Sequence, residues 1–173
     1  MGPTINKLHG AHVYVNNRSN FGKSTQVVLP QIEAVMNEYA ALGMSGAVEL
    51  PSGFGLMEAT ITWNYPDNET QADFSNPFRA VNVTVRSSKS TWSSGGLEEE
   101  KSVIAHLRGL PKQHGGGTFS GKDDVEVESV LAVNYYKLIV DGEDVLEFEP
   151  LTNKYVVRGV DIFAQRRANL GLS

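Results

Sequence analysis

The short stretch FGKST, Phe21 to Thr25, has the residue types of a nucleotide-binding site. It resembles the end of a phosphate-binding loop, in which backbone amides wrap the phosphates and a lysine contacts them. Such a loop needs a glycine where this chain has Asn17. The sequence also predicts no strong parallel strand before the stretch and no long helix after it. We therefore interpret FGKST as a hairpin turn.

Histidines and carboxylates could bind a metal or transfer protons, but here they are not spaced to converge. His9 and His12 are close to each other, whereas His106 and His114 lie far along the chain. A metal site needs three or four ligands that meet at one point. The carboxylates of Leu97–Lys101 and Lys122–Asp124 are adjacent in sequence, which is typical of solvated loops. We predict no metal site.

Serine and glycine motifs give no stronger indication of catalysis. The chain lacks a G-x-S-x-G nucleophile elbow, and GGGTFSG, Gly115 to Gly121, lacks the strand–loop–helix context of an anion cradle. We interpret that glycine-rich stretch as a flexible loop. The sequence predicts no catalytic residue and no cofactor, so the protein is not expected to be an enzyme.

Composition is that of one globular domain spanning residues 1–173. The net charge is −5 and the chain has no cysteine, which excludes disulfides, thiol nucleophiles and thiolate zinc sites. A mildly acidic chain lacks the basic face of a protein that grips nucleic acid. No apolar run approaches the roughly 18 residues that span a membrane, and the N-terminus has no signal-peptide core. We expect a protein made in the cytoplasm, without membrane insertion.

Strands dominate the pattern along the chain. Residues 12–17, 23–30 and 56–64 read as strands, and Met57, Ala59, Ile61 and Trp63 would face one way. Val81, Val83 and Val85 alternate with polar residues in another. Residues 89–101 read as a charged loop and 102–112 as a further strand. Glycine-rich residues 43–55 and 113–124 read as flexible loops.

Helix signals occur at three places. A short helix is predicted after Asp67 or Asn68, either of which could cap it. The tail from Gly159 also looks helical, with Asp161 as N-cap and Gly171 after its end. The third place is ambiguous, because the apolar residues of 31–42 have helical spacing, with Gly43 as a plausible C-cap, while some of them also alternate as in a strand.

The stretch from Ser129 to Pro150 is apolar on both faces of the strand it predicts. Strict alternation puts Glu126 and Glu128 on one face, which further along holds Val130, Ala132, Tyr136, Leu138 and Val140. The opposite face holds Leu131, Val133, Tyr135 and Ile139. Asp141-Gly142 is a strong signal for a type I′ hairpin turn, after which Leu146 and Phe148 alternate with Glu147 and Glu149. Either this sheet rolls into a barrel or sandwich, or neighbouring subunits cover it.

Motifs along nearly the whole chain resemble the major tail tube proteins of contractile-tailed bacteriophages, especially those of P2-like phages and R-type pyocins. The matching elements, in order, are VVLP (27–30), Glu38-Tyr39, Gly43-Met44, LRGL (107–110), Tyr135-Tyr136, Asp141-Gly142, Gly159-Val160-Asp161, Arg166 and NLGL (169–172). Tyr65–Gly96 and Gly115–Asp124 match poorly, and we interpret them as candidates for sheath contacts.

The resemblance implies a mainly β fold: an antiparallel barrel or sandwich with a short flanking helix, a C-terminal helix and a long hairpin arm at about 40–57. It implies that residues 31–38 form a strand, and that an inter-ring loop at about 43–55 reaches the adjacent ring. Residues expected in that loop contact are Gly43, Met44, Ser45, Gly46, Leu50 and Phe54. Residues expected where neighbours join within a ring are Tyr135, Tyr136, Leu138, Asp141 and Gly142.

The resemblance also implies a function. Six copies would form a ring, and rings would stack into a hollow tube inside a contractile sheath, ending at a baseplate spike and a tail terminator. Contraction would drive the tube through the target envelope, and in a phage double-stranded DNA and the tape-measure protein would occupy the bore. Candidate bore-lining residues are Glu126, Glu128, Glu147 and Glu149. Assembly would take place in the host cytoplasm and the product would be part of the virion.

Two alternatives from other classes stay open at this point. A ring-forming carrier of the type VI secretion kind, or a bacteriocin tube without DNA, would share the fold. A small-molecule enzyme would use the glycine loops as a phosphate cradle, and nucleotide binding would reveal it.

Overall fold

The computed structural model describes residues 2–172 and is built mainly of antiparallel strands. The strands are β1 (Ile5–Val15), β2 (Arg18–Ser19), β3 (Ser24–Val28), β4 (Ala34–Tyr39), β5 (Val48–Phe54), β6 (Met57–Trp63), β7 (Val81–Ser93), β8 (Gly96–His114), β9 (Val127–Val140), β10 (Glu143–Glu149), β11 (Lys154–Val157) and β12 (Val160–Asp161). The helices are α1 (Asn68–Ser75) and α2 (Ala164–Asn169), and a single 3₁₀ turn spans Pro150–Thr152. The expected mainly β fold is confirmed. None of the helices formed by residues 2–172 combines the length and apolarity needed to cross a membrane.

Strand β9 is the branch point of the main sheet. One of its edges pairs with β8 from Ser129 to Val140. Its other edge pairs with β6 along residues 127–133 and with β10 along residues 136–140. The sheet then continues through β7 and β1 on one side and through β11 and β12 on the other, while β3 joins β6. Because β3 lies beside β1, the strands wrap around a common core.

A bulge at Asn134 makes this branching possible. Arg108 is paired with Tyr135 and Gly109 with Val133, so Asn134 is an extra residue in β9. An extra residue reverses the alternation of side chains beyond it. Leu131, Val133 and Tyr136 are therefore all buried on the core face. The predicted face that joined Val130 and Ala132 to Tyr136 is thus wrong.

The core lies between the strands on the inner face of the curved sheet. Met57, Ala59, Ile61 and Trp63 are buried together, as their alternation predicted. Val81, Val83 and Val85 of β7 are also buried as predicted, and they pack in the same cluster as Val13, Val15, Ala105, Leu107, Leu131 and Phe148. The indole N–H of Trp63 donates a hydrogen bond to the buried Ser129 hydroxyl at 3.0 Å. This bond avoids the free-energy cost of a buried donor without a partner.

One predicted loop and one strand boundary in the main sheet need correction. Residues 89–101, read as a charged loop, belong to β7 and β8, which are joined by the two-residue turn Ser94-Gly95. The first strand begins at Ile5 rather than His12. Both differences have one cause: cross-strand pairing of β1 with β7 and of β7 with β8 extends the sheet far beyond the core. Many polar side chains of this extension meet solvent, whereas Ser90 and Thr91 are buried.

Helix α1 begins at Asn68 after Asp67, as the sequence predicted. It closes one end of the core with Phe74, and Thr70 donates to Asn20 in a fully buried hydrogen bond of 3.1 Å. Asp73 accepts hydrogen bonds from Arg18 and from Asn16. These contacts fix the helix to the turn between β1 and β2.

The C-terminal helix is shorter than the pattern predicted. It starts at Ala164 with Phe163 as N-cap, and Asp161 lies in β12. Asp161 instead accepts hydrogen bonds from the Phe163 amide and from Arg167, which lowers the pKa of its carboxyl group. Gly171, with φ of +68°, ends the helix as expected. The turn at Arg158-Gly159, which precedes β12 and was not predicted, has positive φ at both residues, as does the confirmed Asp141-Gly142 turn.

Gly109 faces the bulge at a distance that excludes a side chain. A Cβ at this position would lie 2.2 Å from the carbonyl oxygen of Ala132 and 2.9 Å from the Cα of Val133. These are backbone atoms held by the β8–β9 ladder, so they cannot move aside as a flexible side chain would. Only glycine lets the two strands stay paired through the bulge.

We expect Gly109→Ala to lower the free energy of unfolding by about 3 kcal/mol, at the upper end of the cost of overpacking. For a chain of this size that corresponds to a Tm decrease of about 6–12 °C, measurable by thermal denaturation of the unassembled subunit. Gly116→Ala is the matched control, because a Cβ there meets nothing within 4 Å. Equal Tm values for the two variants would contradict the role given to Gly109.

Candidate assembly surfaces

The stretches considered for chemistry have structural roles in the fold. Phe21 to Lys23 form a turn before β3, with φ of +74° at Gly22. Lys23, the lysine a phosphate would need, forms an ion pair with Asp67 at the start of α1. FGKST is therefore a turn that continues into β3, but the hairpin interpretation is wrong, because β2 pairs with β1 and β3 pairs with β6.

Three of the four histidines form local side-chain hydrogen bonds, each with a different partner. His12 bonds Ser19 at 2.8 Å, His106 bonds Thr84 at 3.1 Å and His114 bonds Ser129 at 2.8 Å. Burial lowers the pKa of His106 and of His114. Ser129 is fully buried, so its contact with His114 cannot present a nucleophile to a substrate. Within residues 2–172, His, Asp and Glu side chains nowhere gather in a group of three that could hold a metal.

The arm is a separate two-stranded sheet made of β4 and β5, with its tip at residues 40–47. The helical spacing of residues 31–42 gave the wrong secondary structure here, whereas the strand implied by the resemblance is present. The apolar residues that suggested a helical stripe are distributed over both faces of the hairpin. Val35, Met36, Tyr39, Val48 and Leu50 are each about half exposed. An isolated hairpin of this kind is at best marginally stable in water.

The tip of the arm is a turn that presents Leu42. The Met44 amide donates to the Ala41 carbonyl at 3.1 Å, and Gly43 has φ of +90°, which favours glycine. Leu42 is completely exposed. Behind the tip, Glu38 and Glu49 are directly opposite each other, and like charges in that arrangement destabilise a strand pair.

Four aromatic rings anchor the arm to the body. Phe54, at the end of β5, packs against Phe148 at 5.0 Å, Tyr155 at 5.3 Å and Phe163 at 5.9 Å between ring centroids. Aromatic pairs at such distances contribute about 0.5–1.5 kcal/mol each beyond their buried area. Phe54 therefore lies at the fixed root of the arm, whereas Gly43, Met44, Ser45 and Gly46 lie at its free tip.

A second projecting surface, the wing, consists of residues 5–9 of β1, 88–93 of β7 and 96–102 of β8. Residues paired across these three strands form rows, for example Ile5, Trp92 and Leu97. Each of these three side chains is at least two-fifths exposed. The outer edge of β1 has no partner strand among the described residues until Tyr14 pairs with Ser19. Such a long free edge is a template for another strand.

Comparison with known proteins decides the class. A family model described as phage tail tube protein FII matches residues 5–171. The tail tube protein of Escherichia phage P2 is 25% identical over 170 residues, which cover 96% of this chain and 97% of that protein.

The chain belongs to the phage tail tube family. It is accordingly a structural subunit of a bacteriophage tail, not an enzyme, and a component of the virion. Membership also implies that it assembles with itself and with other tail components. Free strand edges and half-exposed apolar faces, unusual for a solitary protein, are expected of such a subunit.

The residues predicted at the joint between neighbouring tail tube subunits have different environments. Tyr136 is buried in its own core, and Leu138 packs partly buried against it. Tyr135 lies on the other face, where its hydroxyl donates to Glu147 at 3.0 Å and its ring lies 5.1 Å from the Arg108 guanidinium. Asp141 and Gly142 form an exposed turn, and Asp141 forms an ion pair with Lys101.

The four predicted bore residues of the tail tube subunit divide into two pairs. Glu147 lies 3.1 Å from Lys154 and Glu149 is paired with Arg108, so both charges are compensated within the subunit. Glu126 and Glu128 are exposed, and neither forms an ion pair within the described part of the chain. The side chains of Glu147 and Glu149 are less than one-fifth exposed, and a place in the bore stays a prediction for all four residues.

The wing is the surface that sequence reasoning missed. Thr91 and Trp92 are flanked by Ser90 and Ser93, and Glu98 to Glu100 follow. The signal that could have found it is Ser94-Gly95, a possible two-residue hairpin turn between two runs that can pair. High polarity hid that signal, because the buried residues of this stretch, Ser90 and Thr91, are themselves polar and give no apolar alternation.

Tyr135 provides a test of the local geometry. Burial, then its hydrogen bond to Glu147 and the negative charge of Glu147, raise the pKa of Tyr135 to about 12. The folded-state pKa is raised, so the contribution to stability is complete below pH 10 and is lost as the pH rises toward 12. In a tyrosinate absorbance titration, the difference between the unassembled wild-type subunit and Tyr135→Phe should isolate one tyrosine with a pKa of about 12.

Glu147→Gln is the matched variant for this titration. It removes the carboxylate charge but leaves burial, the largest cause, so the pKa of Tyr135 should fall and still exceed its ordinary value. An unchanged difference titration in Glu147→Gln would show that the contact with Glu147 is absent.

Proposed function

We propose that this tail tube protein forms hexameric rings that stack into the hollow inner tube of a contractile tail. The proposal is supported by membership of the family and by one observation above all: the fold leaves a free sheet edge and a separate apolar arm. Two separate contact surfaces suit an assembly with two kinds of neighbour. One kind would lie beside the subunit and the other along the tube axis.

Contacts within a ring would join unlike edges of the sheet. The order of strands runs from β12 at one end to β1 and β2 at the other, so the two edges differ. A contact between unlike surfaces is heterologous and closes into a ring only if the rotation between neighbours permits. The outer edge of the wing and the hairpin at Asp141-Gly142 are the candidate partners, through strand addition.

Contacts between rings would use the arm. The tip residues Gly43, Met44, Ser45 and Gly46 lie far from the core, and Leu50 adds apolar surface along β5. Phe54 lies at the root of the arm and would contribute indirectly, because its ring fixes the arm to the body. Burial of the half-exposed apolar side chains against an adjacent ring would stabilise a hairpin that is marginal alone.

The bore would carry the tape-measure protein and double-stranded DNA. Glu126 and Glu128 are the candidates whose negative charge would repel DNA and keep it from adhering. Glu147 and Glu149 would contribute less repulsion, because Lys154 and Arg108 neutralise them. The remaining partners we propose are a contractile sheath, baseplate and spike proteins and a tail terminator, with assembly in the host cytoplasm before contraction drives the tube through an envelope.

A variant with a shortened arm tests this division of contacts. Residues 40–47 are replaced by Asn-Gly, so that Tyr39 and Val48 are joined by a two-residue hairpin turn. Because the arm is a sheet of its own, the body should keep its fold, measured by thermal denaturation. In negative-stain microscopy at high protein concentration, the wild type should form tubes and the variant should form rings at most.

Controls make the result specific. A variant with the same number of residues removed from the loop at 116–123 keeps the arm and should still form tubes. Tubes of ordinary length from the shortened-arm variant would contradict the role of the arm. A wild type that stays monomeric at all concentrations would contradict the proposed function itself.

A further inference from the structure

A cavity of about 520 Å³ opens at the root of the arm. Its walls are mainly apolar and include Phe54, Met57, Phe148, Leu151, Phe163 and Leu170. Among the residues that line it, Arg166 alone carries a charge, and its guanidinium lies 5.5 Å from the Phe163 ring. Apolar walls of this extent remain exposed to water in the isolated subunit, which is unfavourable.

An unsatisfied polar atom lies next to the cavity. The side-chain oxygen Oδ1 of Asn134 is buried and accepts no hydrogen bond from any described residue. Leaving a buried acceptor unpaired costs about 1–3 kcal/mol. Asn134 lines the cavity through its other atoms, while Oδ1 lies behind the wall, so an apolar and uncharged occupant would complement the site.

The tip of the arm has these properties. From Tyr39 to Val48 the chain has no charged residue, in a protein with 20% charged residues. Leu42 is fully exposed and Met44 partly exposed.

We infer that the cavity at the arm root is the socket for the arm tip of a second copy of this chain, with Leu42 inserted among the aromatic walls. The inference deepens the proposed function and rests on it, since it names the surface that the arm contacts on the next ring.

Other exposed apolar groups fit the socket less well. Phe21 is close to Arg18 and Lys23, Phe78 precedes Arg79, and Phe119 is followed by Lys122. Each would bring charge to an apolar cavity, at a cost in desolvation. The arm tip of the same copy cannot serve either, because six paired residues of β4 hold it on the order of 20 Å from the root.

A tip and a socket at opposite ends of one arm have a geometric consequence. Each copy that inserts its tip into a neighbour still offers its own socket to another copy. The contact is heterologous, so every assembly still has a free tip at one end and a free socket at the other. The contact can therefore repeat along an axis. This property is what stacking of rings requires.

The absence of cysteine from the chain permits a direct cross-linking test. Leu42→Cys carrying a size tag is mixed with untagged Leu151→Cys, assembled at high concentration and oxidised. Both native side chains are more than three-quarters exposed, so the fold should tolerate the changes. The mixed dimer on a non-reducing gel should exceed either homodimer several-fold, and Leu170→Cys provides a second socket position.

The control pairs tagged Leu42→Cys with Phe78→Cys, an exposed position beside α1 that is not part of the socket. It should give no excess of mixed dimer. Tubes without an excess of mixed dimer at Leu151 or Leu170 would overturn the socket and leave the proposed function standing. A wild type without tubes would overturn the proposed function, and with it this inference.

Discussion

The bulge at Asn134 is the constraint on which the rest of the structure depends. By inserting one residue, it lets a single strand serve β6 along its first half and β10 along its second. The first pairing builds the core around Trp63, and the second brings Phe148 to the root of the arm. Gly109 is part of the same device, because the opposite strand must approach without a side chain. The packing of the core, the anchoring of the arm and the position of the socket walls thus all depend on the bulge in the β8–β9 pairing.

The subunit combines a well-packed body with projections that its own core does not stabilise. Trp63, Phe74 and Leu131 are almost fully buried, and polar groups among them are paired. The arm and the wing, in contrast, have half-exposed apolar side chains on strands with free edges. When a neighbour binds, burial of these side chains can therefore still contribute a favourable free energy of about 25 cal/mol per Å² of apolar surface. A division of this kind lets the subunit fold before it assembles and keeps the contact surfaces from competing for the core.

How far the sequence determined these features depends on local signals. Strict alternation identified the inner faces of β6 and β7, and Asp141-Gly142 identified its hairpin. Alternation failed at Asn134, because a bulge has no signature in residue type. Helical spacing misled at residues 31–42, since an exposed hairpin has no buried face to enforce a period of two. The bore position of the candidate carboxylates stays a prediction, and the pairing of Glu147 and Glu149 with cations depends on contacts between strands that no local pattern encodes.

Charge and contact surface are kept apart in this chain. Each subunit has a net charge of −5, so neighbouring copies repel one another over distances of about a Debye length, 8–10 Å at moderate salt. The tip of the arm, from Tyr39 to Val48, bears none of that charge, and apolar contact there can form without bringing carboxylates together. Glu38 and Glu49 face each other just behind it, which weakens the free hairpin. An arm that is uncharged at its end and strained by repulsion behind it gains order chiefly when a neighbour binds it, and this couples the structure of the arm to assembly.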